Sequence, residues 1–288
     1  MRSNRLGWEW RALLLCCAFF FCTRLMGPQI RAASQSREGV ALPVLMYHSL
    51  LKDPSRHNAY TVSPNTFEND LLYLKANGYE TVVVADLIRY VSEGAPLPAK
   101  PVMITFDDGH LNNLTYAAPL LEKHGMRAVI SVVGAYVEAA VRENDPNPAY
   151  AYVTWEDLKA MHASGAFEIQ NHSFDLHDNR TSRGAARKEG EVLATYERRL
   201  VEDVLKMQQA VLDNVGVAPT AFAYPYGYTD QEAERVLRGL GFSATLTCAE
   251  RQNVITRDPE SLFLLGRYNR PSGMSTYAFM QKALGIRP

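Results

Sequence analysis

The chain has 288 residues, of which 47% are hydrophobic and 21% are charged, and this composition excludes a disordered, collagen-like or coiled-coil protein. Its 30 lysines and arginines are offset by 31 acidic residues, which leaves a formal net charge of -1. Because there is no basic excess to neutralise a phosphate backbone, no nucleic-acid partner is expected. The length allows one large domain or two small ones, at roughly 100–200 residues each.

The N-terminal segment, residues 1–33, has the pattern of an export signal. Three arginines precede an apolar run over residues 12–22, and two alanines follow at positions 32 and 33. The run has the roughly 7–15 residues of a signal-peptide core and is shorter than the roughly 20 that cross a bilayer. We predict a signal peptide or N-terminal membrane anchor, and an extracellular or cell-surface protein; cleavage stays open because arginines lie near the alanines. A buried N-terminal helix is the weaker alternative, since arginines bracket the run.

The remaining residues, 34–288, alternate between short apolar runs and helical patterns. The strand-like runs are, in chain order, 43–47, 80–84, 101–106, 127–133, 167–171, 220–224, 243–247 and 262–267. The helical patterns lie at 66–77, 114–124, 154–164, 189–215, 230–238 and 277–284. This alternation is typical of parallel strands with crossover helices, and about seven or eight units favour a (β/α) barrel over an open sheet. We therefore predict a single α/β domain. Cys248 is its only cysteine, which excludes an intrachain disulfide there.

Four polar segments follow predicted strands, and the active site of such a fold gathers at the carboxyl ends of the strands. They are residues 46–48 (MYH), 105–109 (TFDDG), 170–177 (QNHSFDLH) and 224–227 (YPYG). When two carboxylates lie as close as Asp107 and Asp108, the pKa of one of them is raised strongly unless a cation is present. The alternative is a strand-to-turn Asp-Gly pair that bonds the local backbone.

His172 and His177 are five positions apart, a spacing at which two side chains diverge on a helix and on a strand alike. They converge only if the first ends a strand and the second lies on the following loop. Two imidazoles and one carboxylate leave coordination positions open, as catalytic zinc sites do. Ordinary surface or core histidines are the alternative. His48 follows the first predicted strand, where function is favoured, although a lone histidine is often a core or loop residue.

Together these motifs resemble the polysaccharide deacetylases of carbohydrate esterase family 4. The resemblance rests on TFDDG at 105–109, HS-x-x-x-H at 172–177, PYG at 225–227 and MYH at 46–48, and it covers about residues 40–288. The MYH opening and the five-residue histidine spacing are similar to the branch that includes biofilm poly-N-acetylglucosamine deacetylases. The resemblance implies a distorted (β/α)7 barrel, a bound divalent metal and the removal of N-acetyl groups from sugars.

The resemblance also implies roles for individual residues. Asp107 corresponds to the catalytic base, and the backbone N–H of Tyr226 to the oxyanion donor. The metal ligands correspond to Asp108, His172 and His177, with zinc expected first and cobalt, nickel or iron left open.

The general acid of the MYH branch corresponds to His48, and His110 is its rival because it directly follows Gly109. The family's motif arginine is replaced by Ala223, and Arg267 and Arg270 are the candidates to take its place.

The expected function is thus metal-dependent N-deacetylation of an N-acetylglucosamine-containing polysaccharide. An acetyl esterase acting on xylan or another small amide or ester, and a non-catalytic sugar-binding protein, are the alternatives. Polysaccharide is the expected partner, with possible association with membrane or cell wall. The glycan, its linkage and the oligomeric state stay open at this level.

Overall fold

The computed structural model of the chain describes residues 39–178 and 183–286. Apart from residues 39 and 40, the described residues belong to one compact unit, Ala41–Pro288. The predicted signal peptide or anchor over residues 1–33 lies outside the described residues. Within the described part, no helix combines the length and the apolar character that crossing a membrane requires.

The strands of the described residues are, in chain order, β1 Val40–Leu42, β2 Val44–Tyr47, β3 Ser49–Leu50, β4 Thr61–Val62, β5 Glu80–Thr81, β6 Pro101–Asp108, β7 Ala128–Val132, β8 Phe167–Asn171, β9 Ala221–Ala223, β10 Ala244–Leu246, β11 Asn253–Ile255 and β12 Tyr268–Asn269. Seven of these strands are parallel and form the central curled sheet, in the order β10-β9-β8-β7-β6-β2-β12. Strand β5 pairs with the start of β6, and β3 pairs with β4 outside the main sheet. The predicted distorted (β/α)7 barrel is confirmed.

A short segment near the C-terminus joins the two edges of this sheet. Leu265 bridges Leu246 of β10 in parallel, and β12 then pairs with β2. The strand predicted over residues 262–267 is wrong: Pro259–Leu262 forms a 3-10 turn, Leu265 makes an isolated bridge, and the paired strand begins only at Tyr268. Asp258 stabilises that turn by accepting a hydrogen bond from the Glu260 N–H at 3.0 Å, so that pairing begins only at Leu265.

Helices surround the sheet between successive strands. The α-helices are α1 Pro64–Ala76, α2 Val84–Glu93, α3 Ala118–His124, α4 Gly134–Glu143, α5 Trp155–Ala163, α6 Leu193–Val215, α7 Gln231–Gly239 and α8 Thr276–Ala283. Six of them match predicted helical patterns. Their N-termini follow local chemistry: Ser63 accepts a hydrogen bond from the Thr66 N–H, and the Thr154 hydroxyl accepts one from the Asp157 N–H.

Helices α2 and α4 were not among the predicted elements. The β-branched run at 80–84 indicated a strand, but its pairing stops at Thr81 and α2 begins at Val84. The Glu168 carboxylate of β8 accepts hydrogen bonds from the first amides of α2, those of Val84 at 3.1 Å and Ala85 at 3.0 Å. A carboxylate distant in sequence thus starts this helix against the local strand preference.

A fully buried ion pair holds α1 to the segment that follows β12. Arg270 Nε lies 2.7 Å from Asp70 Oδ2, and the hydroxyls of Tyr47 and Thr276 donate to the same carboxylate at 2.9 and 2.6 Å. Because Asp70→Asn would leave the Arg270 charge buried without its counter-ion, we expect the free energy of unfolding to fall by about 3–5 kcal/mol. Urea denaturation measures this, with exposed Asp213→Asn as the control. Equal unfolding midpoints for the two variants would contradict the expectation.

Candidate active site

The carboxyl ends of the strands meet at a single open cleft of about 1250 Å³. His48 follows β2, Asp107 and Asp108 end β6, His172 follows β8, and Tyr226 lies in the turn after β9. All five line the cleft, together with His177 and His110. The sequence prediction that these segments share one site therefore agrees with the geometry.

Asp108, His172 and His177 converge on one point. Their potential ligand atoms all lie within 4.8 Å of one another. Asp108 Oδ1 is 3.6 Å from His172 Nε2 and 3.2 Å from His177 Nε2. The two histidines converge because β8 ends at Asn171. His172 directly follows the strand, and His177 reaches back from the loop after it.

The hydrogen bonds of the two histidines aim their Nε2 atoms at this point. His172 Nδ1 lies 2.7 Å from the Ala223 carbonyl oxygen, which can only accept, so Nδ1 carries the proton and Nε2 a free lone pair. His177 Nδ1 lies 3.1 Å from the Tyr136 hydroxyl oxygen, and that hydroxyl donates its single proton to the His177 carbonyl. Nδ1 is therefore the donor to the Tyr136 oxygen, and Nε2 keeps its lone pair. Burial lowers the pKa of His172, although Asp107 and Asp108 oppose this, and the neutral ring is the ligand form.

Asp108 supplies the test of whether a cation fits. Its backbone has φ +71°, a left-handed conformation that turns the side chain into the cleft. Its Oδ1 is buried without a hydrogen-bond partner among the described residues. Burial opposes ionisation of Asp108, but His110, His48, His172 and His177 outweigh it and hold its pKa well below the usual range. A charged oxygen and two imidazole lone pairs aimed at one point fit a divalent metal, and their N₂O set suits zinc.

Asp107 faces the same cleft but is held by an arginine. Arg267 Nη1 lies 2.7 Å from Asp107 Oδ1, and Nη2 lies 2.8 Å from Oδ2, which makes a two-pronged ion pair with both side chains buried. Burial raises the pKa of Asp107, but Arg267, His172 and His48 together lower it by more, so the carboxylate is ionised at neutral pH. Arg267 is thus the arginine of the site, whereas Arg270 binds Asp70 elsewhere.

His48 and His110 both line the cleft near the carboxylates. Nδ1 of His48 is buried without a hydrogen-bond partner among the described residues, and its ring packs edge-on against Tyr60 at 4.9 Å. Burial lowers the pKa of His48, and Asp107 and Asp108 raise it in part. His110 stacks on Tyr152 at 5.0 Å and places Nε2 3.6 Å from Asp108 Oδ2.

Tyr226 lies in a tight turn that the PYG motif explains. Its backbone has φ +59°, and its hydroxyl donates to the His177 carbonyl at 3.1 Å. A Cβ at Gly227 would lie 2.8 Å from the Cβ of Cys248, so no larger residue fits without a shift. The role of the Tyr226 N–H as oxyanion donor stays a prediction.

The outer cleft contains residues that sequence reasoning missed. Tyr60 and Tyr150 line the cleft and are 58% and 65% exposed. The Arg56 guanidinium lies 4.4 Å from the centre of the Tyr150 ring and donates to the Ala149 carbonyl. Tyr150 lies in a segment rich in proline and asparagine, residues 143–152, whose composition predicts a loop. Nothing in that composition indicates that the loop reaches the site.

Comparison with known proteins gives consistent similarities. Residues 94–245 match the family model described as polysaccharide deacetylase. The chain is 24% identical over 257 residues to the poly-β-1,6-N-acetyl-D-glucosamine N-deacetylase of Escherichia coli K12, which covers 82% of this chain but only 38% of that protein. It is 23% identical over 192 residues to the protein of the same name from Staphylococcus aureus MSSA476, covering 67% of this chain and 62% of the relative.

Two solved structures share the fold. IcaB from Ammonifex degensii is 28% identical with a TM-score of 0.69, over 86% of this chain and 97% of that one. The de-N-acetylase from Aggregatibacter actinomycetemcomitans is 24% identical with a TM-score of 0.69, over 82% and 97% of the two chains.

Proposed function

The chain belongs to the polysaccharide deacetylases of carbohydrate esterase family 4, and from this premise we propose that it is a metal-dependent hydrolase that removes N-acetyl groups from N-acetylglucosamine-containing polysaccharide. One observation carries the metal dependence: the unpartnered Asp108 Oδ1 faces the Nε2 atoms of His172 and His177. The names of the Escherichia coli and Staphylococcus aureus relatives support the substrate class.

Asp108, His172 and His177 would hold the cation, with zinc as the proposed metal and cobalt, nickel or iron as alternatives. A divalent cation bound there supplies Lewis acidity, which polarises the amide carbonyl and acidifies water. The chain's own residues then carry the protons. Asp107, kept ionised and oriented by Arg267, accepts a proton from the attacking water.

Two roles remain: stabilising the negative charge on the carbonyl oxygen and protonating the leaving amine. The backbone N–H of Tyr226 donates a hydrogen bond to the oxygen on which negative charge develops. His48 gives a proton to the departing amine, which is otherwise a poor leaving group. The products are acetate and a free glucosamine amine. The cleft exceeds the roughly 300–1,000 Å³ of a small-molecule pocket, which suits a polymer segment.

The test is acetate and amine release from N-acetylglucosamine oligomers, with and without a chelator. We expect release to stop in the chelator and to return when Zn²⁺ is added in excess. His172→Ala should stay inactive at every Zn²⁺ concentration, whereas His162→Ala, an exposed histidine on α5, should match the unmodified protein.

The outcomes separate the alternative functions. Turnover that persists in the chelator would refute metal dependence. Acetate released from acetylated xylan but not from the amide would identify an esterase. Oligomer binding without turnover of either substrate would identify a sugar-binding protein.

We further propose an extracellular or cell-surface location for the protein, in association with membrane or cell wall. The support is the arginine-flanked apolar run in residues 1–33. Fractionation of producing cells tests this, and mass measurement of the recovered chain shows whether the segment is removed. Recovery only from the cytoplasm would refute it.

A further inference from the structure

The segment between the two metal-binding histidines has to reverse direction within four residues. Ser173, directly after His172, has φ +74°, a left-handed conformation that costs a residue other than glycine free energy. Its N–H donates to the Asn171 side chain at 2.7 Å, and its hydroxyl accepts from the Leu176 N–H at 3.1 Å. A backbone of this kind keeps its shape only where surrounding groups hold it.

The first turn of α4 holds the carbonyl groups of this segment. The Gly134 N–H donates to the Ser173 carbonyl at 3.1 Å, and the Ala135 N–H donates to the Phe174 carbonyl at 2.7 Å. A Cβ at Gly134 would lie 2.4 Å from Cδ2 of the Phe174 ring, so the ring occupies the space that a side chain would need.

A single carboxylate on α6 holds the amide groups of the same segment. Asp203 Oδ1 accepts from the Phe174 N–H at 2.8 Å, and Asp203 Oδ2 accepts from the Asp175 N–H at 2.8 Å. Both oxygens therefore bind consecutive amides in the middle of the interval between His172 and His177. Burial raises the pKa of Asp203, and the two amide hydrogen bonds oppose that shift. No part of the proposed reaction uses this carboxylate.

We propose that Asp203 is a positioning residue that sets the separation of the two histidines before the metal binds. It acts through the loop backbone and touches neither imidazole ring nor substrate. The inference rests on the metal site of the proposed function. If the loop is already ordered, metal binding does not have to offset the loss of its conformational entropy. Removing Asp203 should therefore mainly weaken metal affinity.

The test is a Zn²⁺ titration by calorimetry on the whole chain, comparing Asp203→Asn with Glu202→Gln. The asparagine has the same shape, but its NH₂ group faces one of the two backbone N–H groups. Because both groups are donors, that hydrogen bond is lost. We expect Zn²⁺ to bind about 10–100-fold more weakly to Asp203→Asn, the usual range for groups that support metal ligands. Glu202→Gln removes the same charge from the exposed neighbouring position of α6 and should bind Zn²⁺ like the unmodified protein.

A second readout separates positioning from a general loss of stability. Raising the Zn²⁺ concentration should restore kcat in Asp203→Asn, while the metal concentration at half-activity rises with the dissociation constant. A folded Asp203→Asn protein with unchanged Zn²⁺ affinity would overturn the proposal.

Amide hydrogen exchange in the unmodified, metal-free protein tests the same idea if Asp203→Asn does not fold. The amides of Phe174 and Asp175 should be protected before any metal is added, and rapid exchange at both would overturn the proposal. Neither the Zn²⁺ titration nor the hydrogen-exchange measurement uses substrate. Failure to release acetate, together with weaker Zn²⁺ binding in Asp203→Asn, would therefore refute the proposed function and leave the role of Asp203 standing.

Discussion

Asp107→Asn is expected to lower deacetylation by about 10²–10⁴-fold, the usual contribution of a general base. The asparagine side chain has nearly the same shape but no basic oxygen to accept the proton of the attacking water. Because Asp107 is not among the converging ligand atoms, Zn²⁺ binding should persist. The measurement is acetate release at saturating Zn²⁺, combined with a Zn²⁺ titration of the same variant.

The pair with Arg267 adds a second consequence to the same substitution. Arg267 is fully buried, and without Asp107 its charge has lost its counter-ion, so a lower unfolding midpoint should accompany the rate loss. Assays are therefore run well below that midpoint, with exposed Asp213→Asn as the control. Near-normal turnover in folded Asp107→Asn would place the base elsewhere.

His48→Ala is expected to cost about 10²–10⁴-fold in kcat on the amide, as loss of a general acid does. The loss should be far smaller on an activated acetyl ester, because its leaving group departs without a proton. The acid form of His48 predominates below its pKa, which burial lowers, so the rate should fall as the pH rises through that pKa. The variant should lack this alkaline limb.

His110→Ala is the matched comparison, since His110 lines the same cleft and places Nε2 3.6 Å from Asp108 Oδ2. It should reduce amide and ester turnover to a similar degree, because His110 acts on Asp108, the proposed metal ligand, which both reactions need. If His110→Ala lost activity only on the amide, while His48→Ala lost it equally on amide and ester, the general acid would be His110 and not His48.

The sequence alone predicts the barrel, and it predicts which polar side chains gather at the carboxyl ends of its strands. Hydrophobic runs such as 101–106 predict buried strands from their own composition. All six helical patterns end within one residue of an observed helix, but those predicted to start at residues 114 and 189 begin four residues later, at Ala118 and Leu193. The position of Asp108, His172 and His177 after strands then predicts their convergence, because parallel strands bring their carboxyl ends to one edge. Each of these inferences depends on residues that are near one another in the chain.

Only the tertiary structure decided which arginine serves the site. Arg267 and Arg270 lie three positions apart in one segment, and nothing local separates a partner of Asp107 from a partner of Asp70. The same holds for Asp203, which binds amides about 28 positions away, and for Glu168, which starts α2 from a distant strand. Periodicity and capping report short-range preferences, whereas the partner of a buried charge depends on which elements the closed barrel packs together.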